Sequence, residues 1–581
     1  MATTKGKIRV TIVGSSQVAK DIKEIEMNVI AEGISVDMHT SMLLDMTNQA
    51  YLVKFLNINV TEDPIIPFVD HIRRFMPGSP QATVSVIGDV VGAPGFISDN
   101  LVDFSSLAIP RPAKSGELMM FNFAYHFYTL YYLRLTDQLH GPDRYDKAKQ
   151  WLDILNQDYV SQAAFYRNGS FAMFKRGSGS VWLSAYCSRI YHAAIYPEWE
   201  HLLFIDPEII RQSMHFVLHH QERDGSFIES HHMPINATVN THRFTPVALT
   251  AHVLIAMCKV TTGLGHVGLE AANAKKMAIR YLESELPRLQ SPYEIAITSY
   301  ALLESQSVES KVGLDLLERH KRVAEGMIYW SSHAVDPPKV VYQSQRPFIQ
   351  HREPDLTDAE AIEATAYALM VYTRFNGLIT DQIVRWLNFM RLHRDGFVST
   401  YDTIVALEAL IDYSYRTHVR SITAMNFTFE PSSQPEKFFQ VEVNSDNLAH
   451  QVSMPIMPKV WGHVTVSAKG AGYAILQLHT RYNVDKKHQL LTPPVKSFEL
   501  DVSLMASGRN KSLLHIRSCG KWLLTDRHPT SGLAVMAIDL PTGYLQYKPV
   551  IDELVNNGRT PLLRHARVLP KSAVFMFDYV S

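Results

Sequence analysis

The apolar residues of this chain change their spacing twice along its length, and no single layer of secondary structure can absorb that change. Residues 7–13, Lys-Ile-Arg-Val-Thr-Ile-Val, alternate apolar and polar side chains and stop at Gly14, the pattern of a half-buried strand. Leu52–Val60 and Thr83–Ile87 continue it, so residues 1 to about 90 read as pieces of a β-sandwich. From about residue 98 to 412 the apolar positions recur three and four apart, as in Leu202–His220 and Lys275–Leu289, which predicts helices. From about 418 the period returns to two in Phe438–Val443, His463–Ser467 and Ala474–Leu478, with Gly470-Ala471-Gly472 as a turn. Strand side chains repeat every two residues and helix side chains every 3.6. The expectation is therefore a helical block set into one β domain that it interrupts.

The helical block carries a rough internal repeat with two halves. One is a Gly-x-Phe turn at Gly169-Ser170-Phe171 and Gly225-Ser226-Phe227, shortened to Gly396-Phe397. The other is a helix that opens on small and polar residues: Trp182–Tyr186, Leu249–His252, Ile297–Tyr300, Ala364–Tyr367 and Asp402–Leu407. Small residues let helices approach closely, and Ser or Thr can cap a first turn, so repeated helical hairpins closing into an α/α toroid are expected. After a Pro-bearing linker at Leu491–Val495, strands at Phe498–Leu504 and Ala573–Tyr579 predict a separate terminal β-sandwich.

At 581 residues the chain exceeds one hydrophobic core, which stops growing near ~250 to 300 residues, so several domains are required. With 56 basic and 57 acidic residues and no basic cluster, nucleic acid is excluded as the expected partner. No apolar run reaches the roughly 18 residues of a membrane span, and Phe121–Leu135, broken by His126 and Arg134, reads as a buried helix. Cys187, Cys258 and Cys519 are few and far apart. Asn-x-Ser/Thr acceptors stand at Asn59, Asn168, Asn236, Asn426 and Asn510 and point to a secreted glycoprotein. The opening Met1-Ala-Thr-Thr-Lys-Gly has no apolar signal region, so a secreted protein would be represented here by a fragment.

An enzyme built on such a helical ring needs acidic clusters for a diphosphate-bound metal, or a zinc site. The sequence has neither Asp-Asp-x-x-Asp nor Asp-x-Asp-Asp, and Cys258 lies six residues from His252, off a shared helix face. No catalytic residue, metal site or cofactor is expected.

Four segments then carry a resemblance. Ala82–Gly92 followed by Asn100-Leu101 resembles the approach to the thioester domain of alpha-2-macroglobulin and complement proteins, and Asp395–Leu407 is similar to the last turn of that domain. Ala468–Asn483 is similar to the end of the CUB domain, and Gly532–Tyr544 to the receptor-binding macroglobulin domain. The resemblance implies a multidomain α+β fold: the tail of a macroglobulin-like domain at 1–37, a CUB domain split between 38–91 and 416–490, an inserted α/α toroid at 92–415, and a receptor-binding domain at 491–581.

In active members of that family a Cys-Gly-Glu-Gln motif forms an internal thioester between the Cys sulfur and the Gln carbonyl. The resembling stretch here is Ala113–Met119, which places Ser115 at the Cys position, leaves Gly116 and Glu117, and puts Leu118 at the Gln position. Serine is the weaker nucleophile and leucine has no side-chain carbonyl, so no acyl bond is expected. No cysteine occurs in residues 1–186, so no shift of alignment restores one. A family histidine that speeds acyl transfer would fall near Ile235 or Asn236, after the turn Asp224–Phe227; the neighbouring His231 and His232 read as solvated loop residues. The resemblance is nearest to the arthropod macroglobulin complement-related proteins without a thioester. It implies an extracellular or cell-surface protein that binds protein partners such as receptors, junction proteins or microbial surfaces, in innate immunity and septate-junction organisation. A protease-trapping inhibitor is the alternative, and an α/α-toroid enzyme a more distant one.

Overall fold

A computed structural model describes residues 6–29, 34–58, 79–92, 115–139, 144–173, 177–229, 241–260, 263–337, 339–343, 345–349, 351–352, 355, 357–392, 396–417, 423–456, 460–484, 497–525, 531, 534–541, 544–556, 560, 562–568, 572–577 and 579–580. The chain opens with strands β1 (Gly6–Ser15), β2 (Lys20–Val29), β3 (Ile34–Asp45), β4 (Tyr51–Asn57) and β5 (Gln81–Gly88). Strand β4 ends at Asn57, and Asn59 and Val60, the end of the run expected to be a strand, lie outside the described residues.

Helices α1 (Gly116–Leu135), α2 (Arg144–Ala163), α3 (Val181–Ala193), α4 (Pro207–Leu218), α5 (Pro246–Lys259), α6 (Val267–Glu285), α7 (Pro292–Glu304) and α8 (Ser310–His320) follow, with a small hairpin, β6 (Tyr166–Arg167) and β7 (Ser170–Phe171), between α2 and α3. Two more hairpins, β8 (Arg322–Ala324) with β9 (Met327–Tyr329) and β10 (Val340–Gln343) with β11 (Arg346–Ile349), precede α9 (Asp358–Arg374), α10 (Thr380–Phe389) and α11 (Thr400–Thr417). The helix expected over Leu202–His220 begins only at Pro207, where Asp206 caps it and proline fixes the first turn.

Helix α3 packs on α1 and α5, α7 on α5 and α9, and α11 on α9 and α1, so the odd-numbered helices close on themselves; α2, α4, α6, α8 and α10 each pack outside one of them. The inner helices are apolar on nearly every side, which is why α5 and α9 bury almost their whole length, whereas α4 and α10 bury a stripe.

After the helices come β12 (Ala424–Pro431), β13 (Phe439–Asn444), β14 (Val452–Ile456), β15 (His463–Ala471) and β16 (Tyr473–Val484). They pair with strands from the start of the chain: β14-β5-β16-β3 form one sheet and β10-β11-β4-β15-β12-β13 the other. The two sheets share a core of alternating residues, among them Leu44, Val84, Val86, Phe427, Val466 and Leu476. Ile87, Tyr473 and Ile475 point the opposite way, into the helical core. The first sheet is thus the middle layer of three. Gly472, at φ 123°, stands between β15 and β16, and Gly470 near the end of β15, at φ 127°, passes so close to β12 that a Cβ would lie 2.1 Å from Ala424 O.

Asp89 joins the layers just past β5. Its Oδ2 accepts from Tyr132 Oη of α1 at 2.8 Å and from Ser414 Oγ of α11 at 2.5 Å, while its own N–H donates to Tyr473 O.

The C-terminal region holds a hairpin of β17 (Phe498–Ser507) and β18 (Leu513–Trp522), and a sheet ordered β19 (Ala534–Asp539), β21 (Ser572–Phe577), β20 (Leu563–Val568). Helix α12 (Lys548–Asn556) lies between β19 and β20, an element the strand-only reading of this region missed.

Candidate functional site

The first turns of the inner helices gather at one end of the ring, and their free N–H groups determine which side chains collect there. Ser115 is the N-cap of α1: its backbone is extended and its Oγ accepts from Leu118 N at 3.1 Å. Ser180, Thr245 and Ser291 cap α3, α5 and α7 in the same way. Carboxylates serve the remaining donors. Glu229 accepts from Val181 N at 2.6 Å and Trp182 N at 3.1 Å, Glu294 accepts from Thr245 Oγ1 at 2.7 Å, and Asp402 accepts from Ser399 N at 2.9 Å. The positive ends of the helix dipoles favour this acidic ring.

The motif residues 115–118 lie within that ring. Gly116 donates to Met173 O at 2.8 Å and its α-carbon passes so close to the β7 segment that a Cβ would lie 2.2 Å from Ala172 O. Only glycine fits. Glu117 is buried, with Oε1 accepting from Thr400 Oγ1 of α11 at 2.9 Å and standing 3.6 Å from Arg243 Nη1. Leu118 is half-buried against the helical core.

Arg243, just before α5, is the centre of the cluster. Its Nε donates to both oxygens of Glu363 at 2.9 and 3.1 Å, its Nη2 also contacts Glu363, and the guanidinium lies over the rings of Tyr401 at 4.8 Å and Trp182 at 5.7 Å. Burial opposes charge at both partners, yet Arg243 and His242 overcome it and hold Glu363 at about 2. Asp402 goes the other way: burial first, then the charge of Glu363, push it up to about 7. Below this layer His252 stacks on Trp182 at 5.3 Å and sets Nδ1 3.1 Å from Tyr401 Oη. Burial and the charge of Arg189 lower it to about 3, so it is neutral.

Sequence reasoning singled out residues 115–118 but not Arg243, Glu363 or Tyr401, which come from distant segments and meet only when the ring closes. The small polar residues inside the repeat also act differently from the caps expected of them. Ser184 Oγ accepts from Phe171 N at 2.9 Å, Thr250 Oγ1 from Phe227 N at 2.8 Å, and Thr403 Oγ1 from Phe397 N at 3.1 Å. In α3, α5 and α7 the capping falls to the residue before the helix, and in α3, α5 and α11 an interior hydroxyl instead ties down the Gly-x-Phe turn.

His231, His232, Ile235, Asn59 and Asn236 lie outside the described residues. Among the other glycosylation candidates, Asn168 is exposed in the β6–β7 turn at φ 50°, Asn426 is exposed on β12, and Asn510 is exposed at φ 57° between β17 and β18. Cys187 is buried with its thiol pushed up by that burial, Cys258 is half-buried and Cys519 exposed; none is in a disulfide. Among the described residues no group of three or more His, Cys, Asp or Glu is arranged to hold a metal, and no helix is long and apolar enough to cross a membrane.

The A-macroglobulin TED domain pattern matches residues 84–413, more than half of the chain. The chain belongs to the alpha-2-macroglobulin/complement family. It falls within the C-terminal half of that family's members. It is 24% identical to Complement C3 of Eptatretus burgeri over 441 residues, covering 73% of this chain and 25% of the relative. It is 23% identical to Ovostatin of Gallus gallus over 506 residues, covering 84% of this chain and 31% of the relative. The chain thus spans about a quarter to a third of the length of these relatives. The family match runs from β5 to α11 and contains Ser115, Glu117, Arg243, Glu363 and Asp402.

Proposed function

We propose that this chain is part of a thioester-deficient member of the family, one that acts outside the cell or at its surface by noncovalent binding. The observation that carries this reading is the state of residues 115–118. Ser115 Oγ is engaged as the cap of α1, and Leu118 offers no side-chain carbonyl for acylation. Gly116 and Glu117 retain uses that need no thioester, one for close packing and one for the ion cluster. The ring end serves as a rigid scaffold.

In this reading residues 92–415 form an α/α toroid and 38–91 with 416–490 a split CUB domain. Residues 1–37 end a macroglobulin-like domain, and 491–581 form the receptor-binding one. The partners are proteins of cell surfaces, junctions or microbes, in immune recognition and in septate junctions of the arthropod type, with aromatic and Arg anchors carrying the contact. Support comes from the family membership, the interrupted β domain and the three exposed acceptors Asn168, Asn426 and Asn510.

The test is incubation of the folded protein with isotopically labelled methylamine, followed by peptide mass spectrometry. No label is expected on residues 113–119, and the count of free thiols should stay at three before and after. An amine adduct in that peptide sinks the proposal. Loss of the full-length protein from an epithelium should open its dye barrier, and an intact barrier removes the junction role.

A further inference from the structure

Outside the ring end, α4 presents two histidines, His215 and His219, one helical turn apart on its exposed side. The opposite side of α4, with Ile210, Met214, Val217 and Leu218, is buried against the helical core. The two imidazoles lie with ring centroids 4.3 Å apart and line a cavity of about 600 Å³ with Arg211, Phe216 and His266.

Three features suit this pair to hold a cation. His219 Nδ1 lies 2.8 Å from His215 O, and a carbonyl can only accept, so Nδ1 carries the proton and the Nε2 lone pair is left for a ligand. A backbone carbonyl fixing the tautomer is the usual support of a metal-binding histidine. His219 is also the C-cap of α4, where the negative end of the helix dipole favours a cation. Arg211, the cationic neighbour, is neutralised by its pair with Glu208, with Nε 2.7 Å from Oε2.

We propose that His215 and His219 bind one divalent transition metal ion, zinc or copper, through two imidazole nitrogens. The remaining coordination positions open into the cavity, where water or a donor from a docked partner completes them. His266 stands on the same wall with Nε2 3.1 Å from Arg211 Nη1 and supplies the third imidazole if that contact is given up. The expected order of affinity is copper above zinc, as for any nitrogen site.

The experiment is calorimetric titration of the untagged, chelator-treated protein with zinc alone and then copper alone. One ion per chain is expected, with the event lost or weakened at least tenfold in His215→Ala and in His219→Ala. Replacing the exposed His201, which is not in the cavity, should change nothing. Both α4 substitutions are on the exposed side, and an unchanged circular dichroism spectrum would show that the fold is kept. Survival of the one-ion event in the His215→Ala/His219→Ala double variant overturns the proposal, as does binding equally reduced by His201→Ala.

Discussion

Phe227 donates its backbone N–H to Thr250 Oγ1 at 2.8 Å, and the Thr250 hydroxyl in turn donates a hydrogen bond to Pro246 O at 2.6 Å. This pair joins the two halves of the sequence repeat. Thr250→Val keeps the shape and removes the acceptor, leaving a buried N–H unpaired at a cost of about 1–3 kcal/mol. A lowered melting point by circular dichroism is expected, with Thr250→Ser close to wild type.

Gly116→Ala should destabilise the helical block by about 1–3 kcal/mol, because the new methyl group meets a backbone carbonyl that cannot move aside. Gly268→Ala on α6, whose Cβ would meet nothing nearer than 3.8 Å, is the comparison and should be neutral or stabilising. Equal melting points for the two variants would refute the close approach of α1 to Ala172.

Arg243→Met keeps the side-chain volume and removes the charge shared by Glu117 and Glu363. Breaking a buried ion pair from one side costs about 3–5 kcal/mol, since the carboxylates left behind remain desolvated. The double variant Arg243→Met/Glu363→Leu should recover much of that loss. Urea unfolding of the three proteins checks it.

The two carboxyls of the cluster impose opposite pH dependences. Asp402 rises from 3.8 to about 7 in the folded state, so its contribution to stability is complete below its unfolded value and is lost as pH rises through about 7. Glu363 falls from 4.5 to about 2, so its contribution is present above 4.5 and is lost as pH falls through about 2. Wild-type melting points should therefore decline from pH 5 to 8, and Asp402→Asn should flatten that decline. An identical slope in the variant would show that Asp402 is not the titrating group.

The candidate site was only partly legible before the fold was known. Residues 115–118 stood out because their chemistry is contiguous, whereas Arg243 looked like any arginine between two apolar runs. Its meaning depends on Glu117, Glu363 and Tyr401, which are more than a hundred residues away and reach it only through ring closure. The hairpin β10–β11 was missed for a related reason: four-residue strands carry too few alternations to register, and this one is held by pairing Phe348 with Phe55 of β4.

By itself the sequence determined the order of strands, helices and strands, because apolar periodicity is a local property that survives any arrangement in space. It also determined that Ser115 has no sulfur and Leu118 no carbonyl. Tertiary structure alone decided that β5 lies between β14 and β16, that Asp89 is the joint between sheet and helices, and that one arginine balances two carboxylates at the ring end. Those are long-range pairings, and their energy depends on burial and distance, quantities that exist only once the chain has closed on itself.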